Sequence, residues 1–205
     1  DANGIGLEVC TKSLLSIGPK ANVVFFLYRP LRAPKKYLRQ LDQQFRRVQV
    51  RSFEEYEQKH SLSNYNLIDV VSRQSPADWV VTVIRLCLKK GLDGMATAPL
   101  SKTAIRASGY REIGHTELIQ KIAKTRAPFM AFLGNHFNVL LVTGHVPLAK
   151  IRLSKTRIYE AGLAAISLQK LLKPGLRRRP IALVGLNPHA GEQALIGSEE
   201  KKMFV

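Results

Sequence analysis

Asn22-Val23-Val24-Phe25-Phe26-Leu27-Tyr28 and the segment from Pro34 to Arg47, with Tyr37, Leu38, Leu41 and Phe45 at helical spacing, decide how this chain folds. A short unbroken run of β-formers predicts a strand buried on both faces. Apolar residues recurring every three or four positions, with cations between them, predict an amphipathic helix lying on that strand. The alternation continues outward. Val48 to Val50 and Asn66 to Val71 are weaker strand candidates, separated by a polar stretch from Glu54 to Asn64. Ser75-Pro76-Ala77-Asp78 predicts a helix start, because Ser caps and Pro suits the first turn; this helix runs to Lys90 and Gly91 stops it. Beyond it, Gly94 to Ala98 reads as a short strand, and Ser101 to Ser108 and Thr116 to Lys124 as helices. Pro128 to Leu133 and Phe137 to Thr143 read as paired strands about a Gly134-Asn135 turn. Ser154 to Leu172 reads as a long amphipathic helix ended by Lys173-Pro174-Gly175, Pro180 to Leu186 as a buried strand, and Ser198 as the start of a last helix. Strands alternating with helices predict an α/β fold with a mainly parallel sheet layered with helices.

The 205 residues are 45% hydrophobic and 23% charged, enough to bury a core, which excludes a disordered chain. Lys and Arg number 32 against 15 Asp and Glu, a formal charge of +17 that favours anionic partners without choosing among nucleic acid, membrane surface and phosphorylated metabolite. No apolar window reaches the length of a spanning helix, so no membrane association is expected. The opening residues lack the basic and apolar regions of a secretory signal. Cys10 and Cys87 lie in apolar segments and read as reduced core residues, the pattern of a cytoplasmic protein.

Arg29, Arg32, Lys35, Lys36, Arg39, Arg46, Arg47 and Arg51 form one basic cluster and Arg177-Arg178-Arg179 a second. A phosphate-backbone track is one reading and a solvated charged face the simpler one. Aromatics are not interleaved with these cations and no nucleic-acid-binding signature is present, so nucleic acid is not the expected partner.

Thr97-Ala98-Pro99-Leu100-Ser101-Lys102 places hydroxyls and a cation where an expected strand enters a helix, a junction that directs N–H groups at an anion. Ser101 serves equally as an ordinary N-cap. Gly114-His115-Thr116-Glu117 opens the next helix, either as a site or as a capping turn. His145, in Thr143-Gly144-His145-Val146-Pro147-Leu148, and His189, in Asn187-Pro188-His189-Ala190-Gly191-Glu192, each follow an expected core strand. Open α/β sheets keep their sites at that end, and neutral imidazole suits a divalent metal. Two histidines are too few for a tight site, so a third ligand must come from elsewhere. His60, in a polar loop, and His136, beside the hairpin turn, read as surface residues.

Taken together, DANGIGLE at 1–8, TAPLSK at 97–102, GHTE at 114–117, TGHVPL at 143–148, GLNPHAGE at 185–192 and GSEE at 197–200 resemble the 4-hydroxythreonine-4-phosphate dehydrogenase family of pyridoxal phosphate biosynthesis. The motifs keep the family's order and spacing, closely from Gly94 to Glu200 and loosely from Cys10 to Gly91. The resemblance implies the two-domain architecture of isocitrate- and isopropylmalate-dehydrogenase-like enzymes, with residues 1–93 in the first α/β domain and 94–205 in a central region carrying the motifs. It implies NAD- or NADP-dependent oxidation of a phosphorylated hydroxy-amino acid followed by decarboxylation, in a homodimer whose active site lies at the interface. His145 and His189 match the family's ligands for a divalent metal (zinc, magnesium, cobalt or manganese), and His115 and Thr116 its substrate contacts; Lys102 is a candidate for the substrate phosphate. A sister dehydrogenase of a phospho-threonate or phospho-erythronate would keep the same histidines, and a non-catalytic remnant binding anionic ligands or nucleic acid is the reading from a different class. The family pattern extends further at both ends. The third metal histidine, in a YHDQG-like segment, and most of the cofactor site belong to the later part, so the isolated 205 residues are expected to be inactive.

Overall fold

A computed structural model describes residues 4–59, 63–112, 114–125, 128–172, 175 and 179–203. They form two compact units, Asp1–Arg126 and Ala127–Val205, so the sequence boundary at 93/94 falls inside the first of them.

In the first unit the chain runs α1 (Gly6–Ile17), β1 (Phe25–Pro30), α2 (Lys35–Asp42), β2 (Arg47–Val50), α3 (Phe53–Gln58), β3 (Leu67–Ser72), α4 (Pro76–Leu88), α5 (Lys102–Ala107) and α6 (His115–Ala123). The three strands are parallel in the order β1-β3-β2, with Leu27 opposite Asp69 and Gln49 opposite the same residue. The weaker strand candidate at 66–71 is therefore the centre of the sheet. Leu67 through Val71 are all buried, because helices cover both faces. Leu27, Leu41, Phe45 and Leu67 pack on one face with Leu7, Cys10 and Leu14 of α1. Val50, Ile68 and Val70 pack on the other with Phe26 and Tyr56.

The first face also holds an ionic triad. Asp69 has 0% exposure and accepts both arms of the Arg29 fork, Nε at 2.7 Å and Nη2 at 2.7 Å, plus Arg47 Nη1 at 2.6 Å. Arg47 also grips Asp42 through Nε at 2.8 Å. Two members of the basic cluster are thus internal struts, and their charge is matched by two carboxylates.

Helix ends follow local chemistry. Ser75 and Asp78 form a reciprocal capping box at the start of α4. At the other end Gly91 N–H donates to Leu86 O and Lys90 N–H to Cys87 O, a Schellman turn in which Lys90, at φ 60°, holds the left-handed position. The helix stops at Leu88, two residues before the expected end.

Several expectations are corrected. The helix expected over 34–47 ends at Asp42; the chain turns there so that Phe45 reaches Phe25 edge-on, with ring centroids 5.9 Å apart, and Arg47 joins β2. The 94–98 and 180–186 segments are not strands, since neither has a hydrogen-bonded neighbour among the described residues, and Ile181, Leu183, Val184 and Leu186 are exposed rather than buried. The polar stretch after Glu54 contains α3, capped by Ser52, and α1 is a helix to which the sequence reading assigned no element. Cys10 and Cys87 are free thiols and only half-buried.

The second unit contains an antiparallel hairpin of β4 (Met130–Leu133) and β5 (Asn138–Leu141), then α7 (Lys155–Leu171) and α8 (Glu199–Met203). Ser154 caps α7 as expected, accepting from Arg157 N–H, and Arg157 Nε donates to Val142 O at 2.8 Å while its guanidinium lies 3.9 Å over the Phe129 ring. Lys173 and Pro174, the expected stop, lie outside the described residues, as does His60.

Candidate functional site

The first unit has a cleft of about 1020 Å³. Three of the sequence motifs reach its wall: Gly4 to Glu8 at the start of α1, Thr97 to Leu100 in the extended stretch before α5, and His115. α4, α5 and α6 fix the last two, through a core of Ala77, Val81, Ile105 and Leu118 against which Leu100 and Tyr110 also pack.

His115 is the first residue of α6. Gly114 precedes it in extended conformation, φ −162° and ψ −173°, and offers no capping side chain. A Cβ on Gly114 would stand 3.2 Å from Glu117 Oε2, so the absence of a side chain leaves room for the carboxylate of the first turn. The imidazole is half-buried, its Nε2 enclosed without a hydrogen-bond partner among the described residues, and burial pushes its pKa below the ordinary 6.5. His115 thus brings to the cleft wall a ring whose buried nitrogen has no partner among the described residues.

The loop before it is braced twice. Tyr110 OH donates to Asp78 Oδ1 at 2.6 Å, joining the loop to the cap of α4, and Lys121 pairs with Glu112 at 2.7 Å. Burial and the hydrogen bond to Asp78 raise the Tyr110 hydroxyl to about 12. The sequence reading missed Tyr110, whose signal was its position five residues before the histidine and its need, as a half-buried tyrosine, for a partner.

The other predicted residues fall differently. Thr116 is exposed in the first turn of α6. Ser101 serves as the cap of α5, accepting from Ala104 N–H at 3.1 Å, and Lys102 is exposed and away from the cleft wall.

His145 and His189 are both exposed, on loops of the second unit. His145 sits in a tight turn closed by Val146 N–H on Gly144 O at 2.9 Å. His189 opens a left-handed stretch, φ 51°, that continues through Gln193. The acidic pair after it holds this loop: Asn187 Nδ2 donates to Glu199 Oε2 at 2.8 Å and Glu200 Oε2 at 2.9 Å. Hydrogen bonds from Asn187 keep the Glu200 carboxyl below its usual pKa. Gly191, at φ 81°, lies against Gly197 O, where no side chain fits. Among the described residues no three His, Cys, Asp or Glu side chains gather to hold a metal. Exposed imidazoles are competent donors, but two are one short of the three protein ligands a catalytic ion takes.

The first unit is of the class of α/β proteins in which helices cover both faces of a parallel sheet. Residues 26–205 match the family described as Pyridoxal phosphate biosynthetic protein PdxA. Among curated relatives, 4-hydroxythreonine-4-phosphate dehydrogenase of Desulforapulum autotrophicum is 39% identical over 133 residues, 62% of this chain and 38% of its own. The enzyme of the same name from Sulfurihydrogenibium sp. is 26% identical over 100% of this chain and 66% of its own. A Halalkalibacterium halodurans protein provisionally named D-threonate 4-phosphate dehydrogenase is 32% identical over 60% of this chain and 37% of its own. The crystal structure of the Burkholderia phymatum 4-hydroxythreonine-4-phosphate dehydrogenase shares the fold at TM-score 0.70 and 22% identity, over 100% of this chain and 66% of that one. That from Klebsiella pneumoniae does so at TM-score 0.67 and 23% identity, over 97% and 64%. The chain belongs to the PdxA family and spans less than two thirds of the length of these curated relatives. Among the described residues no helix is long and apolar enough to cross a membrane.

Proposed function

We propose that this chain is the substrate-binding part of an NAD-dependent, divalent-metal-dependent dehydrogenase that oxidises and decarboxylates 4-phosphohydroxy-L-threonine in the route to pyridoxine 5′-phosphate. One observation carries the reading: residues from GIGLE, TAPL and GHTE, far apart in sequence, line one cleft, and the histidine among them has a ring nitrogen without a partner among the described residues. The names of the relatives support the same chemistry.

In this reading His115, neutral at physiological pH, hydrogen-bonds a substrate oxygen through Nε2, and the Thr116 hydroxyl and the first N–H groups of α6 complete the contact. Lys102, exposed at the start of α5, is a candidate to screen the phosphate from outside the cleft. His145 and His189 are the residues that would hold the divalent ion, with a third ligand from beyond the described residues. When bound, that ion would supply Lewis acidity at the substrate hydroxyl, and the nicotinamide would supply the oxidising power. The acidic clasp on Asn187 orients the loop that carries His189. The proposal extends to a homodimer in the cytoplasm.

The test is NAD reduction by the complete protein containing this chain, with 4-phosphohydroxy-L-threonine, with and without a chelator. Activity that a chelator abolishes supports the reading, and activity indifferent to the chelator contradicts the metal assignment. Because a relative carries the D-threonate 4-phosphate name, that substrate belongs in the same assay; preference for it would replace the substrate named here.

A further inference from the structure

The cleft contains a cation that no motif assigns. Of its charged wall residues, Glu8 is held by Lys12 at 2.6 Å and by Tyr37 OH at 3.0 Å, and Arg29 is locked on buried Asp69. Asp93 lies near the Cys87 thiol and helps raise its pKa, after burial. That leaves Arg32. It is exposed and lines the cleft, and it makes no ion pair or hydrogen bond among the described residues. It also lies two residues past the carboxyl end of β1, the end at which parallel sheets hold their ligands.

We infer that Arg32 is the residue of this cleft that grips the anionic group of its ligand, a phosphate monoester. The inference rests on reading the cleft as the site of a phosphorylated substrate. A guanidinium presents a planar fork that matches two phosphate oxygens, and here the fork is not committed elsewhere. Lys102, the cation adjacent to the motif, is off the wall. Arg32 thus takes one of the charges of the Arg29–Arg51 cluster out of the undifferentiated surface and gives it a ligand.

The probe is inorganic phosphate, titrated at constant ionic strength into the isotope-labelled chain while the His115 ring resonances are followed. Wild type should show a saturable shift at His115. Arg32→Gln should weaken the apparent affinity about tenfold or more, the loss of one charge-assisted contact, with an unchanged thermal midpoint because the side chain has no internal partner. Arg32→Lys should fall between the two, since it keeps the charge and loses the fork. Lys20→Gln, which removes an exposed cation off the cleft wall, should bind as wild type does. Equal phosphate affinity in wild type and Arg32→Gln would overturn the role of Arg32 while leaving the cleft a phosphate site. No phosphate-dependent change at His115 in wild type would overturn both.

Discussion

Replacing Asp69 by Ala should be among the most damaging single changes in the first unit. The carboxylate has 0% exposure and accepts three charge-assisted hydrogen bonds of 2.6 to 2.7 Å. Its loss leaves the Arg29 guanidinium, whose side chain is 4% exposed, with only Pro30 O at 3.0 Å and weaker contacts at 3.4 and 3.5 Å to Leu31 O and Gln49. Arg47 retains Asp42. Breaking a buried pair from one side costs about 3–5 kcal/mol, because the remaining charge stays desolvated. With a urea m-value of about 2 kcal/mol/M, the midpoint should fall by about 1.5–2.5 M. Equilibrium unfolding followed through Trp79, the single tryptophan, reads this directly. Arg29→Met with Asp69→Leu removes both charges together and should lie within about 2 kcal/mol of wild type, since apolar replacements of buried pairs are close to neutral. A cost for Asp69→Ala below about 1 kcal/mol, the range of exposed pairs, would refute the triad as an internal strut.

Lys90→Gly should raise stability by about 0.5–1 kcal/mol, because Lys90 holds φ 60° at the Schellman position of α4; thermal unfolding measures it. Gly191→Ala should loosen the Asn187–Glu200 clasp, since a Cβ there meets Gly197 O and the backbone is at φ 81°; faster amide exchange over 185–200 is the expected signature. Stability should fall as pH rises from 10 towards about 12, because folding raises the Tyr28 and Tyr110 hydroxyls from 10 to about 12 and so favours their protonated forms. Burial is the first cause in both, and Tyr28→Phe and Tyr110→Phe should each remove part of that alkaline loss in pH-dependent urea titrations. His115 should titrate below 6.5 in a proton NMR experiment, with the corresponding stability lost as pH falls below that value.

Local signals in the sequence were legible. The 22–28 run overlaps β1, the Ser75 cap and its Asp78 partner open α4, Ser154 opens α7, and the Gly134-Asn135 turn joins β4 to β5. Nonlocal facts were not. Apolar runs at 94–98 and 180–186 have strand composition, but a strand exists only with a neighbour to pair with, and neither has one among the described residues. Arg29 and Arg47 looked like surface charge because Asp69, which buries them, lies 40 and 22 positions away. α1 was hidden by its loop-like start, although Leu7, Cys10 and Leu14 carry helical spacing and pack on the sheet. For the site, TAPLSK and GHTE were legible as the approaches to two helices, and α5 and α6 start there; that both segments line one cleft was not. The exposed position of Lys102 and the free Arg32 depend on how β1, α1 and the 94–100 segment face one another, which no single window of sequence contains.

Turnover by the complete protein containing this chain, wild type against His115→Ala, with 4-phosphohydroxy-L-threonine, NAD and a divalent ion, bears on the whole reading at once. Wild type should reduce NAD in a chelator-sensitive reaction, and His115→Ala should lose at least about a hundredfold in kcat/KM, in the range general acid–base and oxyanion contacts contribute, while keeping its fold by circular dichroism. Undiminished turnover by a folded His115→Ala protein would show that the cleft is not where the chemistry is done.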